Sequence, residues 1–433
     1  MNQIITNKPI SGAVDIPESK SLTHRYLIVE ALANEVGKVI YHNTSDDILA
    51  TIDCLRELGL REPLESPQIS ENIRILDCKE SGTTYRFLLP IAATLGRTSL
   101  FVLHKSLVNR PMDPLFKALK VHGIRCEIRE DKTTVNNYEQ ISRVLVTGKL
   151  TGGSFILPGN VSSQFISGLM LALPLLEVNS TIIVEGRLES TSYVAMTMAV
   201  MRQAGIKINA EKGSGRIGYT FKIPGNQKYH FKEEQIAIEK DWSAAAYFLA
   251  GAAISHTPLT CIGLNPESIQ GDKRILNILK AFGANVNIAG KNITISGGRL
   301  KGINIDARDI PDIIPAVAVL ASCASGTTKI LNATRLRYKE SDRLVTISKA
   351  LNALGANIEI NEDSIIISGF ESDERNIDYP IFTGGNVNSY GDHRIAMMLS
   401  IASCVSRRPV QILNAGVINK SYPNFYEDLK SLQ

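Results

Sequence analysis

Residues 337–355 read RYKESDRLVTISKALNALG. Lys339, Glu340, Ser341, Asp342 and Arg343 put five polar residues, four of them charged, ahead of Leu344, Ile347, Ala350, Leu351 and Leu354. The apolar spacing is that of an amphipathic helix, and Gly355 stops it. A dense charge cluster therefore sits at a helix mouth, where the first backbone N–H groups lack partners and favour an anion. Ser341 or Asp342 can cap such a helix. A cap explains one or two of these residues, not two cations and a glutamate beside it.

The same arrangement recurs along the chain. Segments 46–60, 113–128, 190–208, 272–288 and 342–360 each begin with an acid or hydroxyl and run through an amphipathic helix. Each then turns at Gly59, Gly123, Gly205, Gly283 or Gly355, and a truncated sixth copy spans 423–432. A second, more apolar helix type is expected at 20–33, 81–96, 162–176, 241–255, 312–326 and 392–406. Strand-like runs lie at 38–42, 99–103, 181–184, 292–295, 329–331 and 364–367. Repeats of this length exceed solenoid periods, so each is expected to be a small α/β module. Apolar helices flanked by strands suggest helices inside a shell of sheets, their mouths aimed at one shared region.

Composition is that of an ordinary globular chain of two domains: 433 residues, 44% hydrophobic and 21% charged. The net charge of +4 is too weak to argue for nucleic acid, and no basic-aromatic run supports it. Six scattered cysteines show neither a close pair nor zinc-ligand spacing, and the seven histidines are dispersed. No metal, cofactor or disulfide is expected. The N-terminus lacks an apolar signal region. The longest apolar stretch, 165–176, is too short to span a bilayer. A cytoplasmic monomer with neither membrane nor nucleic-acid partners is the expectation.

At the mouths the cations accumulate. Lys20-Ser21 and Arg25 open the first apolar helix, although a lysine in a first turn opposes the helix dipole unless an anion lies between. Ser81-Gly82-Thr83-Thr84 precedes Arg86, and Gly82 permits close backbone approach to a ligand. Arg110 stands before Pro111, which sets a helix start. Ser162-Ser163-Gln164 opens another helix, as do Ser190 and Tyr193. Asp241, Asp312 and Asp392 begin apolar helices, where Asp is a favoured cap. For Asp241 a structural cap is the reading; Asp312 is a cap by default and a base by exception. Arg394 and Lys420 lie at two further mouths. So many cations suit two anionic groups, and Asp312 with Glu340 would be a paired base and acid. No Walker loop, nucleophile elbow or dinucleotide fingerprint is present. The chemistry implied is polar group transfer between anions.

Segments 17–25, 81–86, 110–111, 162–164, 339–343, 392–394 and 420–423 together resemble the 5-enolpyruvylshikimate-3-phosphate synthase family, in order and over essentially the whole chain. The resemblance implies a two-domain inside-out α/β barrel with six βαβαββ repeats, three per domain. One lobe would be 19–231; the other would be 232–433, with 1–18 returned to it. The implied reaction moves the enolpyruvyl group of phosphoenolpyruvate to the 5-hydroxyl of shikimate 3-phosphate, with release of phosphate. It proceeds through a tetrahedral intermediate on the route to chorismate and the aromatic amino acids. By the same likeness Asp312 takes the hydroxyl proton, Glu340 protonates the methylene carbon, and Lys20 bridges both substrates and shares the proton work. Lys20, Ser21, Arg25, Ser162, Ser163, Gln164, Ser190, Asp312 and Lys339 would hold shikimate 3-phosphate. Lys20, Gly82, Arg110, Gln164, Arg343, Arg394 and Lys420 would hold phosphoenolpyruvate, the site at which glyphosate acts.

Three departures from the family pattern stand out. Cys78-Lys79-Glu80 replaces a glycine and asparagine, and Lys79 with Glu80 is expected to form a self-neutralising, outward pair. Lys240 and Trp242 flank Asp241 where small residues are usual, away from the chemistry. Arg335 occupies a position usually held by a substrate-contacting asparagine, so that contact is not carried over. The sister enzyme acting on UDP-N-acetylglucosamine uses a lysine-asparagine pair and a loop cysteine; this chain has Lys20-Ser21 and no cysteine in 107–112. A non-catalytic six-repeat scaffold would need the mouths but not the Asp312 and Glu340 pair.

Overall fold

Capping chemistry sets most helix boundaries. In the computed structural model, which describes residues 1–61, 73–129, 141–370 and 381–433, Asp342 accepts the Val345 N–H at 3.3 Å and starts the helix Arg343–Asn352. Ser81, Ser162, Asp241 and Asp392 cap Gly82–Thr94, Ser163–Ala172, Trp242–Ser255 and His393–Ser403 likewise, each satisfying an orphan donor. Asp312 departs from the expectation of a cap. The helix Ile314–Ser322 has Ile313 at its N-cap with no side-chain bond, because the Asp312 carboxylate is engaged by cations. At the opposite ends, Gly59, Gly123, Gly205, Gly283 and Gly355 have φ between +66° and +101°. That left-handed turn out of a helix is open to glycine without a Cβ clash.

The chain divides into two compact units, Lys20–Ile238 and Met1–Ser19 with Glu239–Gln433. In the first, one sheet runs Arg74–Asp77, Ser99–His104, Ile141–Thr147, Arg125–Arg129, and another Ser154–Pro158, Ser180–Glu185, Ile217–Ile223, Asn209–Lys212. The leading pair of each is parallel and the remaining pairs antiparallel. Val39–Ile40 and Ile236–Ala237 make a short parallel pair. The second unit repeats the pattern with Gly12–Asp15, Leu259–Ile262, Asn292–Ser296, Asn285–Ala289, and with Asn304–Asp306, Thr327–Leu331, Ile365–Ser368, Asn357–Ile360. Its third sheet pairs Gly385–Asn388 with Val410–Leu413 in parallel and closes on Gln3–Ile5. A parallel pair needs a crossover, and a helix is the usual filler. The fold is mixed α/β.

Crossover helices are the apolar ones. Every residue of Trp242–Ser255, Ile314–Ser322 and His393–Ser403 is buried, and the three pack on one another. A helix apolar on all sides is stable only in such an interior. Amphipathic helices bury one face, as Ile275–Phe282 does with Ile275, Leu276, Ile278, Leu279 and Phe282. Each unit has its own core: Phe87, Phe155 and Phe165 contribute to one, Trp242, Phe248 and Phe425 to the other. The mouths of the buried helices are thereby held by packed elements.

Candidate active site

Arg343 organises the charges of the unit containing Glu239–Gln433. Its side chain is 1% exposed. Nε and Nη2 donate to Asp392 at 2.8 and 3.2 Å, Nη2 also to Glu340 Oε2 at 2.7 Å, and Nη1 to Asp312 Oδ1 at 2.8 Å. One rigid guanidinium fork thus orients three carboxylates, which the flexible point charge of lysine cannot do. Burial alone would lower the Arg343 pKa, but Asp392, Glu340 and Asp312 hold it well above the ordinary value. Ser341 Oγ adds a bond to Asp392 Oδ2 at 3.0 Å.

Lys339 Nζ donates to the same Asp312 oxygen at 3.1 Å. Burial, with Arg343 and Arg335 close by, brings the ammonium down to about 8 against the pull of Asp312 and Glu340. Arg394 follows the Asp392 cap: its backbone N–H donates to Asp392 Oδ1 at 2.9 Å and its Nη1 to the Ser243 carbonyl at 3.1 Å. The guanidinium lies over the Tyr247 ring, 5.8 Å from its centroid, and the Tyr247 hydroxyl donates to the Asp312 carbonyl at 3.3 Å. Burial opposes the charge on Arg394, yet Tyr247, Asp312 and Asp241 keep its pKa raised. Lys420 is buried at the end of the turn Ala415–Lys420. Asp241 caps its helix through Ala244 N–H at 2.9 Å.

In the unit Lys20–Ile238, Lys20 is the first residue of the helix Lys20–Ala33, and its Nζ pairs with Asp47 Oδ2 at 2.6 Å. One turn on, Arg25 is buried and donates to Thr197 Oγ1 at 2.8 Å, the Ser21 carbonyl at 2.6 Å and the Tyr193 carbonyl at 3.0 Å. Phe87 faces its guanidinium at 5.0 Å. Desolvation lowers its pKa to about 10, so it stays charged at neutral pH. Arg25 therefore also ties Lys20–Ala33 to the helix Thr191–Gln203. Ser190, in the left-handed region at φ 52°, is the buried N-cap of that helix.

Arg110 packs against Gly82 so closely that a Cβ there would meet its Nη1 at 2.6 Å. Any side chain at this position would displace the guanidinium. Gln164 donates from Nε2 to Thr83 Oγ1 at 2.8 Å, and its Oε1 accepts from Arg86 Nη1 at 2.8 Å. Arg86 Nη2 reaches the Pro111 carbonyl at 3.2 Å. Arg86 thus joins the Arg110-Pro111 corner to the helix mouth carrying Ser162, Ser163 and Gln164, where both serines are buried. The self-neutralising pair expected of Lys79 and Glu80 does not form. Lys79 Nζ pairs with Asp77 at 2.5 Å, while Glu80 pairs with Lys105 at 3.3 Å and accepts from Ser106 at 3.2 Å. Positive φ at Lys79, 50°, turns the two side chains to different neighbours.

Asp47, Thr197 and the linking role of Arg86 escape a reading of the sequence. Asp47 stands beside Asp46 at a helix start, but its partner lies 27 residues away and nothing local marks it. Among the described residues, no cluster of three or more His, Cys, Asp or Glu could hold a metal ion, and no helix is long and apolar enough to cross a membrane.

The family model of EPSP synthase (3-phosphoshikimate 1-carboxyvinyltransferase) matches residues 4–429. The 3-phosphoshikimate 1-carboxyvinyltransferase of Clostridium kluyveri is 38% identical over 98% of this chain and 95% of its own length. That of Brachyspira hyodysenteriae is 39% identical over 99% and 98%. The solved EPSP synthase of Acinetobacter baumannii superposes with a TM-score of 0.73 at 27% identity, covering 100% of this chain and 97% of that one. The enolpyruvyl transferase NikO of Streptomyces tendae shares the fold at a TM-score of 0.70 and 17% identity, over 99% and 96% of the two chains. With matched length, a shared fold and the charged helix mouths in place, the chain belongs to the EPSP synthase (3-phosphoshikimate 1-carboxyvinyltransferase) family.

Proposed function

We propose that Asp312 and Glu340 are the base and acid of the reaction this chain catalyses, transfer of the enolpyruvyl group of phosphoenolpyruvate to shikimate 3-phosphate. Asp312 takes the proton of the 5-hydroxyl as its oxygen bonds to C2 of phosphoenolpyruvate, while Glu340 gives a proton to C3. The tetrahedral adduct then loses a proton from the new methyl group as the C2–O bond to phosphate breaks, releasing inorganic phosphate and the enolpyruvyl ether. Protonation at C3 builds positive charge at C2, and fixed dipoles and charges lower that barrier most when already in place. Lys20 bridges both substrates. Ser21, Arg25, Ser162, Ser163, Gln164, Ser190 and Lys339 hold shikimate 3-phosphate; Gly82, Arg110, Gln164, Arg343, Arg394 and Lys420 hold phosphoenolpyruvate.

The observation that carries this reading is the Arg343 fork. It binds Asp312 and Glu340 through different nitrogens, at 2.8 and 2.7 Å, so one cation orients both carboxylates. The common strand order of four sheets, with buried crossover helices, supports the finer fold: six βαβαββ units, three in each compact unit, as an inside-out barrel pair. The lobes would be 19–231 and 232–433 with 1–18. The enzyme works as a cytoplasmic monomer without cofactor.

The test mixes the protein with phosphoenolpyruvate and either shikimate 3-phosphate or UDP-N-acetylglucosamine and follows phosphate release. Release with shikimate 3-phosphate alone is expected; release with the nucleotide sugar alone, or binding without release, overturns the assignment. Glu340→Gln is expected to abolish turnover while binding shikimate 3-phosphate normally by calorimetry. Near-normal turnover in that variant rejects the proton-donor role.

A further inference from the structure

One acidic group beside this machinery has no part in the scheme above. Asp272 lies in the turn Gly271–Arg274 and is 3% exposed. Its Oδ2 accepts from Ser243 Oγ at 2.5 Å. Its other oxygen, Oδ1, is also buried, and among the described residues no donor reaches it. An ionised carboxylate would leave half its charge unsolvated there, a costly arrangement. A neutral carboxylic acid needs less. The charged neighbours are Asp312, Arg394 and Asp241, two anions against one cation.

Ser243 connects this acid to the phosphoenolpyruvate residues. Its hydroxyl binds Asp272, and its carbonyl accepts Arg394 Nη1 at 3.1 Å. The residue sits in the first turn of Trp242–Ser255, whose Trp242 N–H is held by Gln270 Oε1 at 3.2 Å, two residues before Asp272. One residue thus carries both the hydroxyl bound to Asp272 and the carbonyl that holds Arg394.

We infer that Asp272 is a positioning residue for the Arg394 guanidinium, acting through Ser243, and thereby sets the affinity for phosphoenolpyruvate. It does so while holding a proton. Burial, then the charge of Asp312 and more weakly that of Asp241, push the Asp272 carboxyl up to about 7, against the Ser243 bond and Arg394. Above that pH the new buried anion competes with the substrate for Arg394 and pulls harder on Ser243. Below it, Arg394 is left to the substrate. The inference rests on the assignment of Arg394 to phosphoenolpyruvate.

The experiment measures KM for phosphoenolpyruvate and for shikimate 3-phosphate between pH 5.5 and 9 in the wild type, Asp272→Asn and Ser243→Ala, with far-UV circular dichroism confirming folding. Taking the ratio of wild-type to variant KM cancels the titration of the substrate itself. Between pH 6 and pH 8 this ratio for phosphoenolpyruvate is expected to rise about threefold or more against Asp272→Asn, with kcat at pH 6 within about twofold. For shikimate 3-phosphate it is expected to stay flat. Ser243→Ala keeps the carbonyl that accepts Arg394 but cuts its link to Asp272, so the rise of its KM for phosphoenolpyruvate with pH is expected to be much smaller than in the wild type. A ratio independent of pH, or an equal rise for both substrates, overturns the inference. If Asp272→Asn fails to fold, the Ser243→Ala profile decides: a rise with pH as large as the wild type's overturns it. Absence of phosphate release by the wild type at every pH would instead refute the assigned reaction.

Discussion

Arg343 concentrates more consequence than any other side chain described. Replacing it with glutamine leaves Asp392, itself fully buried, without its cation, and breaking such a pair costs about 3–5 kcal/mol. Urea denaturation of Arg343→Gln is expected to show a loss of that size, whereas Glu340→Gln should cost much less, since Asp392 keeps its partner. Lys339 supplies a pH test. Its folded pKa, about 8, lies below the ordinary lysine value because of burial. The ammonium is therefore present below about pH 8 and lost above it. Affinity for shikimate 3-phosphate is expected to fall as pH rises through that value. In Lys339→Arg, whose guanidinium stays charged, calorimetric titration is expected to show no such decline up to pH 9.

At the scale of elements, close approach of helices places the polar residues. Gly168 sits where Ser163–Ala172 crosses Gly82–Thr94, and a Cβ there would lie 2.3 Å from the Arg86 carbonyl oxygen. Gly168→Ala must push the helices apart, and such overpacking costs about 1–3 kcal/mol. The displacement strikes at the Arg86–Gln164 bond of 2.8 Å. Thermal denaturation should record the lost stability, and KM for phosphoenolpyruvate is expected to rise several-fold with little change in kcat. An unchanged KM would mean that Gln164 keeps its orientation without that crossing.

At the scale of the molecule, the unit containing Glu239–Gln433 is discontinuous in sequence. Gln3–Ile5 pairs with Val410–Leu413, and Gly12–Asp15 pairs in parallel with Leu259–Ile262. Both are edge strands of that unit's sheets. Removing residues 1–19 bares two strand edges, a known invitation to aggregation. A fragment of residues 20–238 is expected to fold alone, with a cooperative urea transition, because its core is contained within it. Residues 239–433 alone are expected to aggregate or to lack a cooperative transition, and to recover when 1–19 is joined to them. The single tryptophan, Trp242, is buried in that core and reports the difference by fluorescence.

What the sequence determined by itself was local: helix starts, glycine stops, the apolar or amphipathic character of each helix, and the basic residues at their mouths. Capping, periodicity and positive φ depend on neighbours a few residues apart, so Asp342, Gly355 and the fully buried Trp242–Ser255 were legible. The charge of Lys339-Glu340 and Asp392-His393-Arg394 was legible as more than a cap requires, and in the structure Glu340 and Asp392 meet at Arg343. Tertiary structure alone decided which charges meet. Asp312 looks like a cap in sequence yet serves Lys339 and Arg343, which lie 27 and 31 residues on. Lys79 and Glu80 look like a pair and are not one. Asp272 looks like a helix start and does open the turn into Ile275–Phe282, but only the fold makes it a buried acid bonded to Ser243, whose carbonyl holds Arg394. The physical reason is the same in each case: a hydrogen bond or ion pair across packed elements depends on how those elements cross, which no local rule encodes.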